Sequence, residues 1–334
     1  MRAALLLMLA LAGVIPAWTE PALAETSRVT LPRQYGITFL PFLEMEEGRL
    51  IEKHARALGL PDLQVEWVVL SGAGPVNDGL LSGALSFGAG AAPSLVLLWD
   101  RTRASPNPVR GIGAIAAMPT YLNTRNPAIA SIADYTEADR IALPSVKLSN
   151  AAIVLQMAAA KLWGDAEYAR LDPLTVSLGH PDAMAQLLGG GGITSHFASP
   201  PYQALELRTT GVRTILTSVE VMGDASLTDV WTTQRFLRDN PAVVQAVFDA
   251  MQEAVDTINR DKGAAADLYL RLSHDRIARA DLMRVLDDPH VIYSTTPMGT
   301  MAFAGFMRKV GVVRAAAADW RDLFFPIAHA LPGN

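Results

Sequence analysis

The residue types that could perform catalysis do not form a recognised catalytic pattern in this sequence. No Gly-x-Ser-x-Gly pentapeptide, the motif that exposes a nucleophilic serine on a strand-to-helix turn, is present. None of the six histidines stands four residues from another, the spacing that brings two zinc ligands to one face of a helix. His180 precedes a proline at the end of a predicted strand, so its ring could lie beside a pocket or pack elsewhere. We therefore predict no catalytic residues and no bound metal.

Two glycine-rich segments match phosphate-binding motifs by letter only. Gly111-x-Gly113-x-x-Ala116 has the spacing of a dinucleotide fingerprint, but its glycines fall inside an apolar strand predicted over residues 111–118. A pyrophosphate needs free N–H groups where a helix begins, so this segment does not predict a nucleotide site. The glycine run 189–192 lacks the lysine and hydroxyl of a Walker loop. We expect no cofactor.

Small and polar residues stand at the carboxyl ends of several predicted strands, just before predicted helices. Open α/β sheets bind ligands at that edge, and the N–H groups of helix starts stabilise an anion without a lysine. Ser149 and Asn150 are the best candidates, although they could serve only to cap the following helix. Trp231 could form an aromatic wall or be packed in the core. The predicted ligand-binding residues are Tyr35, Thr38, Phe39, Leu40, Ser71, Gly72, Ala73, Ala89, Gly90, Ala91, Met118, Ser145, Ser149, Asn150, Ser199 and Trp231.

Strands and helices that alternate along the chain would position these loops. A first strand opens at Val29 and ends at Tyr35-Gly36, and further strands are predicted over residues 64–70, 85–88, 111–118, 141–143, 174–178, 196–198 and 212–216. Helices are predicted over residues 43–58, 76–81, 94–99, 150–163, 181–188, 241–258, 262–272, 277–286 and 300–310. This alternation predicts an α/β fold with a parallel sheet of βαβ units and a helical C-terminal segment.

Composition limits the possible classes of protein. Half of the 334 residues are hydrophobic and 18% are charged, which is typical of a globular chain with two domains. The net charge of -5 leaves no broad basic surface for DNA or RNA, so we expect no nucleic-acid partner. The chain has no cysteine and hence no disulfide.

The first 24 residues have the features of a secretory signal peptide. Arg2 precedes an apolar run over residues 3–17, and Ala22-Leu23-Ala24 forms an A-x-A cleavage site. The run of about 15 residues is shorter than the roughly 20 that a membrane-spanning helix needs. No cysteine near the cleavage site could accept a lipid. We expect cleavage, export and an unanchored mature protein in a bacterial periplasm.

A series of short motifs occurs in a characteristic order along nearly the whole mature chain. They are Phe39-Leu40-Pro41-Phe42, Glu46-Glu47-Gly48, Leu81-Ser82-Gly83-Ala84-Leu85-Ser86-Phe87-Gly88, Tyr121-Leu122-Asn123-Thr124-Arg125-Asn126, Ser131-Ile132-Ala133-Asp134-Tyr135, Ile141-Ala142-Leu143-Pro144, Phe306-Met307-Arg308-Lys309-Val310-Gly311 and Asp319-Trp320-Arg321-Asp322-Leu323. Together they resemble the nitrate/sulfonate/taurine group of ABC-transporter substrate-binding proteins.

This resemblance implies a two-lobe periplasmic binding protein of type II, with a hinge and a ligand cleft between the lobes. Lobe one would comprise residues 25–119 and 225–334, and lobe two residues 120–224. The loops 38–40, 71–73 and 89–91, with Ser149-Asn150, match the ligand-facing loops of the group. Two places depart from its pattern: Ser86 replaces a frequent aspartate, and residues 189–193 lack a frequent acidic residue.

The function implied is solute capture by closure of the lobes and delivery to an ABC permease with its ATPase in the inner membrane. We expect a monomer that is not an enzyme. The ligand would be a small organic anion such as a sulfonate, or nitrate or bicarbonate, held by helix N-termini and hydroxyls. Lys147 is the only cation in the matched loops and could face ligand or solvent, and Phe39 or Tyr35 could stack on an apolar ligand.

Two alternatives remain open at this point. An exported ligand sensor would present its closed form to a signalling receptor, and the sequence does not separate it from a transport component. A fold-related enzyme of the thiamine-pyrimidine synthase type is the other alternative. The cysteine-rich motif of that enzyme family cannot occur in a chain without cysteine.

Overall fold

The computed structural model describes residues 25–273 and 275–334. The signal peptide and cleavage site predicted at residues 1–24 lie outside the described residues. Within the described part of the chain, no helix is long and apolar enough to cross a membrane.

The described residues form ten strands in three sheets. The strands are β1 (Arg28–Arg33), β2 (Gln64–Val69), β3 (Gly88–Gly90), β4 (Val109–Ala117), β5 (Tyr121–Thr124), β6 (Ile141–Leu143), β7 (Thr175–Ser177), β8 (Ser195–Ala198), β9 (Arg213–Thr217) and β10 (Ser226–Thr233). Strands β1 and β2 form a parallel pair, the second sheet has the order β3-β10-β4, and the third has the order β7-β6-β8-β5-β9.

The three-stranded sheet is antiparallel and the five-stranded sheet is mixed, which corrects the prediction of a parallel sheet. Strand β10 runs antiparallel between β3 and β4, and β5 runs antiparallel between β8 and β9. Neither β5 nor β10 was predicted as a strand. In β10 the polar residues Thr228, Asp229 and Thr232 are all buried, so no alternation of apolar and polar residues marks the strand. The five-stranded sheet is built from residues 121–217, and the other two sheets come from the segments before and after it.

Most helices lie close to the predicted positions, although three short ones, over residues 202–206, 218–222 and 234–239, were not predicted. The helices are α1 (Leu40–Glu47), α2 (Leu50–Ala57), α3 (Ala73–Ser82), α4 (Ala92–Thr102), α5 (Asn150–Trp163), α6 (His180–Gly189), α7 (Tyr202–Glu206), α8 (Ser218–Met222), α9 (Gln234–Asp239), α10 (Pro241–Arg260), α11 (Lys262–Ser273), α12 (Arg279–Leu286) and α13 (Thr300–Lys309). Helix α5 has the predicted bounds because Ser149 caps it by accepting the N–H of Ala152 and Gly164 ends it.

The single helix predicted over residues 43–58 is two helices. Pro41 lies in the first turn of α1, where its missing N–H costs nothing, so the helix begins earlier than predicted. Arg49 has a φ of 48°, in the left-handed region, and this separates α1 from α2. The first strand-to-helix turn therefore brings residues 37–39 directly before a helix start.

Apolar packing holds the three-stranded sheet against α10. Helix α10 buries Val243, Val247 and Met251 at helical spacing, in one apolar cluster with Ile112 and Ile115 of β4. Gly111 has a packing role, because a Cβ there would lie 2.3 Å from the ring of Phe324. The glycine pattern at Gly111 thus has a structural explanation other than nucleotide binding.

Candidate functional site

A cleft lies where loops of the five-stranded sheet face loops of the other two sheets. Its cavity volume is about 80 Å³. The predicted residues that line it are Tyr35, Thr38, Phe39, Ser71, Gly72, Ala73, Gly90, Ala91, Ser145, Ser149, Asn150 and Ser199. His180, for which a place beside a pocket was one of two possibilities, also lines the cleft. The other lining residues outside the predicted set are Gln34, Thr120, Pro144, Ala151, Gly179, Phe197, Leu227 and Thr228.

Four predicted site residues lie outside this lining and are buried. Leu40 and Met118 pack in one apolar cluster with residues of the C-terminal helices. Ala89 precedes Gly90 on β3, and neighbouring residues of a strand face opposite sides of the sheet. Trp231 is 1% exposed, and its ring lies 3.5 Å from where a Cβ of Gly90 would stand. Trp231 therefore packs behind the cleft wall, which was the alternative considered for it.

The two sides of the cleft touch at two glycines. At Gly72, whose φ is +86°, a Cβ would lie 2.7 Å from Ser145 Oγ, and the neighbouring Ala73 N–H donates to that oxygen at 3.0 Å. At Gly36, whose φ is +99°, a Cβ would lie 2.9 Å from the carbonyl oxygen of Pro200. A side chain at either glycine would separate the loops that face each other across the cleft.

Five helices begin at the cleft. The N-cap residues of α1, α3, α4, α5 and α6 all line it, and they are Phe39, Gly72, Ala91, Ser149 and Gly179. Only Ser149 provides a side-chain cap. At α3, Gln34 and Ser145 accept the N–H groups of Gly72 and Ala73. Each helix start presents partial positive charge, so this convergence favours a negatively charged ligand.

Two buried polar atoms of the lining have no hydrogen-bond partner among the described residues. They are Thr120 Oγ1 and Asn150 Oδ1, on side chains that are 3% and 5% exposed. The Asn150 amide is held in place because its Nδ2 donates to the carbonyl oxygen of Ser226 at 2.8 Å. Buried polar atoms normally have partners, so these two are available to a bound molecule.

The lining contains no lysine, arginine, aspartate or glutamate among the described residues. Lys147 lies between Ser145 and Ser149 but is exposed and does not line the cleft. Residues 189–193 and Ser86, where the sequence departs from the pattern of the group it resembles, also lie outside the lining. Within residues 25–273 and 275–334, no group of three or more acidic, histidine or cysteine side chains could hold a metal ion.

A chain of hydrogen bonds leads from the cleft into the interior. Ser199 Oγ lies 2.8 Å from His180 Nε2, and His180 Nδ1 lies 2.9 Å from His196 Nε2. His196 Nδ1 lies 2.5 Å from Glu206 Oε1, and both of these side chains are fully buried. The other carboxylate oxygen, Oε2, accepts from Asn123 Nδ2 at 2.9 Å. We refer to His180, His196 and Glu206 as the histidine chain.

The electrostatic surroundings keep His180 neutral. Burial lowers the pKa of His180 well below its usual value, and the neighbouring His196 lowers it further. The ring of Tyr202 stacks on His180 with centroids 5.4 Å apart. Its hydroxyl donates to Asp275, and burial raises the pKa of Tyr202. Sequence reasoning missed this arrangement, since residues 16 and 10 positions apart give no local signal; the proline after His180 was the only indication.

Comparisons with known proteins identify the architecture. No family model matches the sequence. No curated protein matches it either. Among solved structures, the alkanesulfonate-binding protein SsuA from Xanthomonas axonopodis pv. citri, bound to MOPS, superposes with a TM-score of 0.70 at 16% identity, covering 90% of this chain and 98% of that chain.

The chain has the periplasmic binding protein fold. The aliphatic sulphonate binding protein SsuA from Escherichia coli matches with a TM-score of 0.62 at 16% identity, over 90% of this chain and 98% of its own. The periplasmic nitrate-binding protein NrtA from Synechocystis PCC 6803 matches with a TM-score of 0.60 at 15% identity, over 77% of this chain and 69% of its own. The predicted two-lobe α/β class and the resemblance to sulfonate- and nitrate-binding proteins are thus confirmed in the fold.

Proposed function

We propose that this protein is the extracytoplasmic solute-binding component of an ABC importer, and that it binds a small organic anion such as a sulfonate, or nitrate or bicarbonate. The observation that carries this proposal is the convergence of five helix N-termini on one cleft. Similarity of fold to sulfonate- and nitrate-binding proteins supports it.

The volume and the lining residues of the cleft limit which ligands can bind. A cavity of about 80 Å³ suits a molecule of few heavy atoms. Helix N-termini and hydroxyls would hold the charged group, because the described lining has no lysine or arginine. Phe39, Phe197 and Leu227 add an apolar surface on which a short alkyl group would fit.

Binding would work through closure of two lobes. We propose residues 25–119 with 225–334 as lobe one and residues 120–224 as lobe two, with the cleft between them. A ligand that touches both lobes stabilises the closed form by its differential affinity for the two forms. The closed, loaded protein would then deliver its ligand to a permease and ATPase in the inner membrane, as a periplasmic monomer that forms and breaks no covalent bond.

A thermal-shift experiment on residues 25–334 tests the ligand class. Nitrate, bicarbonate and methanesulfonate are compared with dimethyl sulfone, a neutral molecule of nearly the same shape as methanesulfonate. A ligand at 100 times its Kd adds about 2.7 kcal/mol to the free energy of unfolding. We expect stabilisation by at least one anion and none by dimethyl sulfone. Stabilisation by the sulfone alone would contradict an anion site.

Transport is tested separately from binding. A strain without this gene should lose uptake of the stabilising anion, and restoring the gene should restore uptake. Binding without any uptake defect would contradict the importer role and leave the exported sensor as the better explanation.

A further inference from the structure

The donor and the acceptor of each hydrogen bond in the histidine chain can be assigned by starting at Glu206, the residue farthest from the cleft. A main-chain carbonyl can only accept, so the bond of 3.1 Å between Asn123 and the Gln203 oxygen identifies Asn123 Nδ2 as the donor. Asn123 Oδ1 accepts from Thr214 Oγ1 at 2.7 Å, in agreement with this orientation. Glu206 Oε2 must therefore accept from Asn123 Nδ2.

With an ionised Glu206 and neutral histidines, every donor in the chain is determined. Glu206 Oε1 accepts from His196 Nδ1–H, which leaves His196 Nε2 as an acceptor. His180 Nδ1–H donates to that nitrogen, so His180 Nε2 must accept. The Ser199 hydroxyl then donates its proton to His180. Only the lone pairs of Ser199 Oγ remain for the cleft, and the chain has one buried negative charge.

One added proton reverses these bonds. Whether the proton resides on Glu206 or on His196, the His196 Nε2–H now donates to His180 Nδ1. His180 stays neutral and donates from Nε2 to Ser199 Oγ, so its single N–H has moved from one nitrogen to the other. The Ser199 hydroxyl is then free to donate into the cleft, and the chain has no net charge.

We propose that Ser199 is a specificity-determining residue whose hydrogen-bond direction is set by the histidine chain, and that binding of an anion in the cleft is coupled to uptake of one proton by that chain. An anion prefers the protonated chain for two reasons: the nearby negative charge is gone, and Ser199 has become a donor. This inference rests on the proposed function.

Asp229 of β10 is a second buried group that titrates near the cleft, because burial raises its pKa to about 8, and the His180→Gln variant leaves it in place. The ionisable groups packed around His180 do not provide this switch. On α6 itself, Asp182 is exposed to solvent. From α7, Tyr202 stacks on His180 and donates to Asp275, and the cleft-lining Tyr35 raises the pKa of Tyr202 further.

Two more ionisable groups lie on β5, which pairs with β8, and on β9, which pairs with β5. From β9, Arg213 donates to main-chain oxygens of Asn126 and Ile129. From β5, burial raises the pKa of Tyr121. Tyrosines with raised pKa values keep their protons in the range where histidine titrates.

Proton uptake is measured by calorimetric titration with nitrate and methanesulfonate, which keep one negative charge between about pH 5 and 9. Tris and imidazole serve as buffers, because they differ in ionisation enthalpy and are not themselves anions. We expect uptake approaching one proton per anion bound, and an affinity that falls by up to about tenfold per pH unit as the chain deprotonates.

Two variants and one control locate the coupling. His180→Gln removes the imidazole that links Ser199 to His196 and Glu206, so the affinity should depend less on pH and proton uptake should fall well below that of the wild type. Ser199→Ala should weaken anion binding at low pH by about tenfold and have little effect at high pH. His54→Gln removes another His–Glu pair, 2.7 Å from Glu253 and away from the cleft, and should leave the pH dependence unchanged.

Spectra of ¹⁵N-labelled histidine without ligand test the chain independently of the ligand. The N–H of His180 should lie on Nδ1 at high pH and on Nε2 at low pH. A fixed tautomer, or anion binding without proton uptake, would overturn the inference while leaving the proposed function intact. A switching tautomer in a protein that binds no anion would instead overturn the proposed function, and the coupling with it.

Discussion

Two carboxyl groups are fully buried on opposite sides of the cleft, and their surroundings differ. Glu206 has a donor at each oxygen, Asn123 at one and His196 at the other. Asp229 follows the cleft-lining Thr228 on β10, and neither of its oxygens has a partner among the described residues. Burial raises the pKa of Asp229 to about 8. A buried acid with partners can keep its charge and relay a proton, whereas an isolated acid must stay protonated.

The largest expected effect comes from Asp229→Asn, which removes the isolated acid. The folded protein keeps a proton on Asp229 that the unfolded chain loses above about pH 4, because its pKa is raised to about 8. The free energy of unfolding of the wild type should therefore fall between about pH 4 and 8. At pH 8 the variant should be more stable by up to about 5 kcal/mol, and at pH 4 by almost nothing. Urea unfolding at both values measures this; equal effects at both would contradict an isolated acid.

The same chemical change should have the opposite sign at the partnered acid. In Glu206→Gln, the amide oxygen accepts from Asn123 and the NH2 group donates to His196 Nδ1, so two hydrogen bonds to a charged group become neutral ones. We expect a loss of about 1 to 2 kcal/mol in unfolding free energy at pH 8. A stabilised Glu206→Gln variant would show that the two acids do not differ as described. Both variants are unfolded in urea under identical conditions, so that systematic errors in the unfolding free energy cancel when the two are compared.

Local sequence patterns predict much of the fold, but they do not predict the surroundings of Asp229 and Glu206. Ser149 and Gly164 mark the ends of α5 because caps depend on adjacent residues. Most loops at predicted strand ends line the cleft for a similar reason: a strand followed by a helix brings its loop to the sheet edge. Strand β10 was not predicted from the sequence, because its polar residues are buried by long-range pairing with β3 and β4. The contacts of Glu206 likewise join residues far apart in sequence.

A smaller effect is expected at the wall formed by helix starts. Ala91 is the N-cap of α4 and has extended backbone angles, which suit an aspartate that accepts from the helix N–H groups. Ala91→Asp should raise stability by about 1 kcal/mol and weaken anion binding about 100-fold, because its carboxylate occupies the positive end of the helix. Ala278, the uncapped N-cap of α12, gives a matched control. Ala278→Asp should leave binding unchanged.

The smallest effect on ligand binding is expected at Asn150, on the opposite wall. Asn150→Leu removes the bond to the Ser226 oxygen and the free Oδ1, which can accept a hydrogen bond from bicarbonate but not from nitrate or methanesulfonate. Unfolding free energy should fall by about 1 to 3 kcal/mol, and binding of bicarbonate should weaken by about tenfold. Gln156 is another buried amide on α5, bonded to Asp172 outside the cleft lining. Gln156→Leu should cost similar stability without changing affinity; equal binding by both variants would remove Asn150 from the site.

The most direct test of the account is a calorimetric titration of residues 25–334 with nitrate and methanesulfonate at one fixed pH, in wild type and in Ala91→Asp. The central claim is that helix starts in this cleft hold a small anion without a lysine or an arginine. We predict saturable binding of at least one of these anions at a single site, and its loss in Ala91→Asp. No binding of either anion by the wild type, or equal binding by both proteins, would contradict that claim.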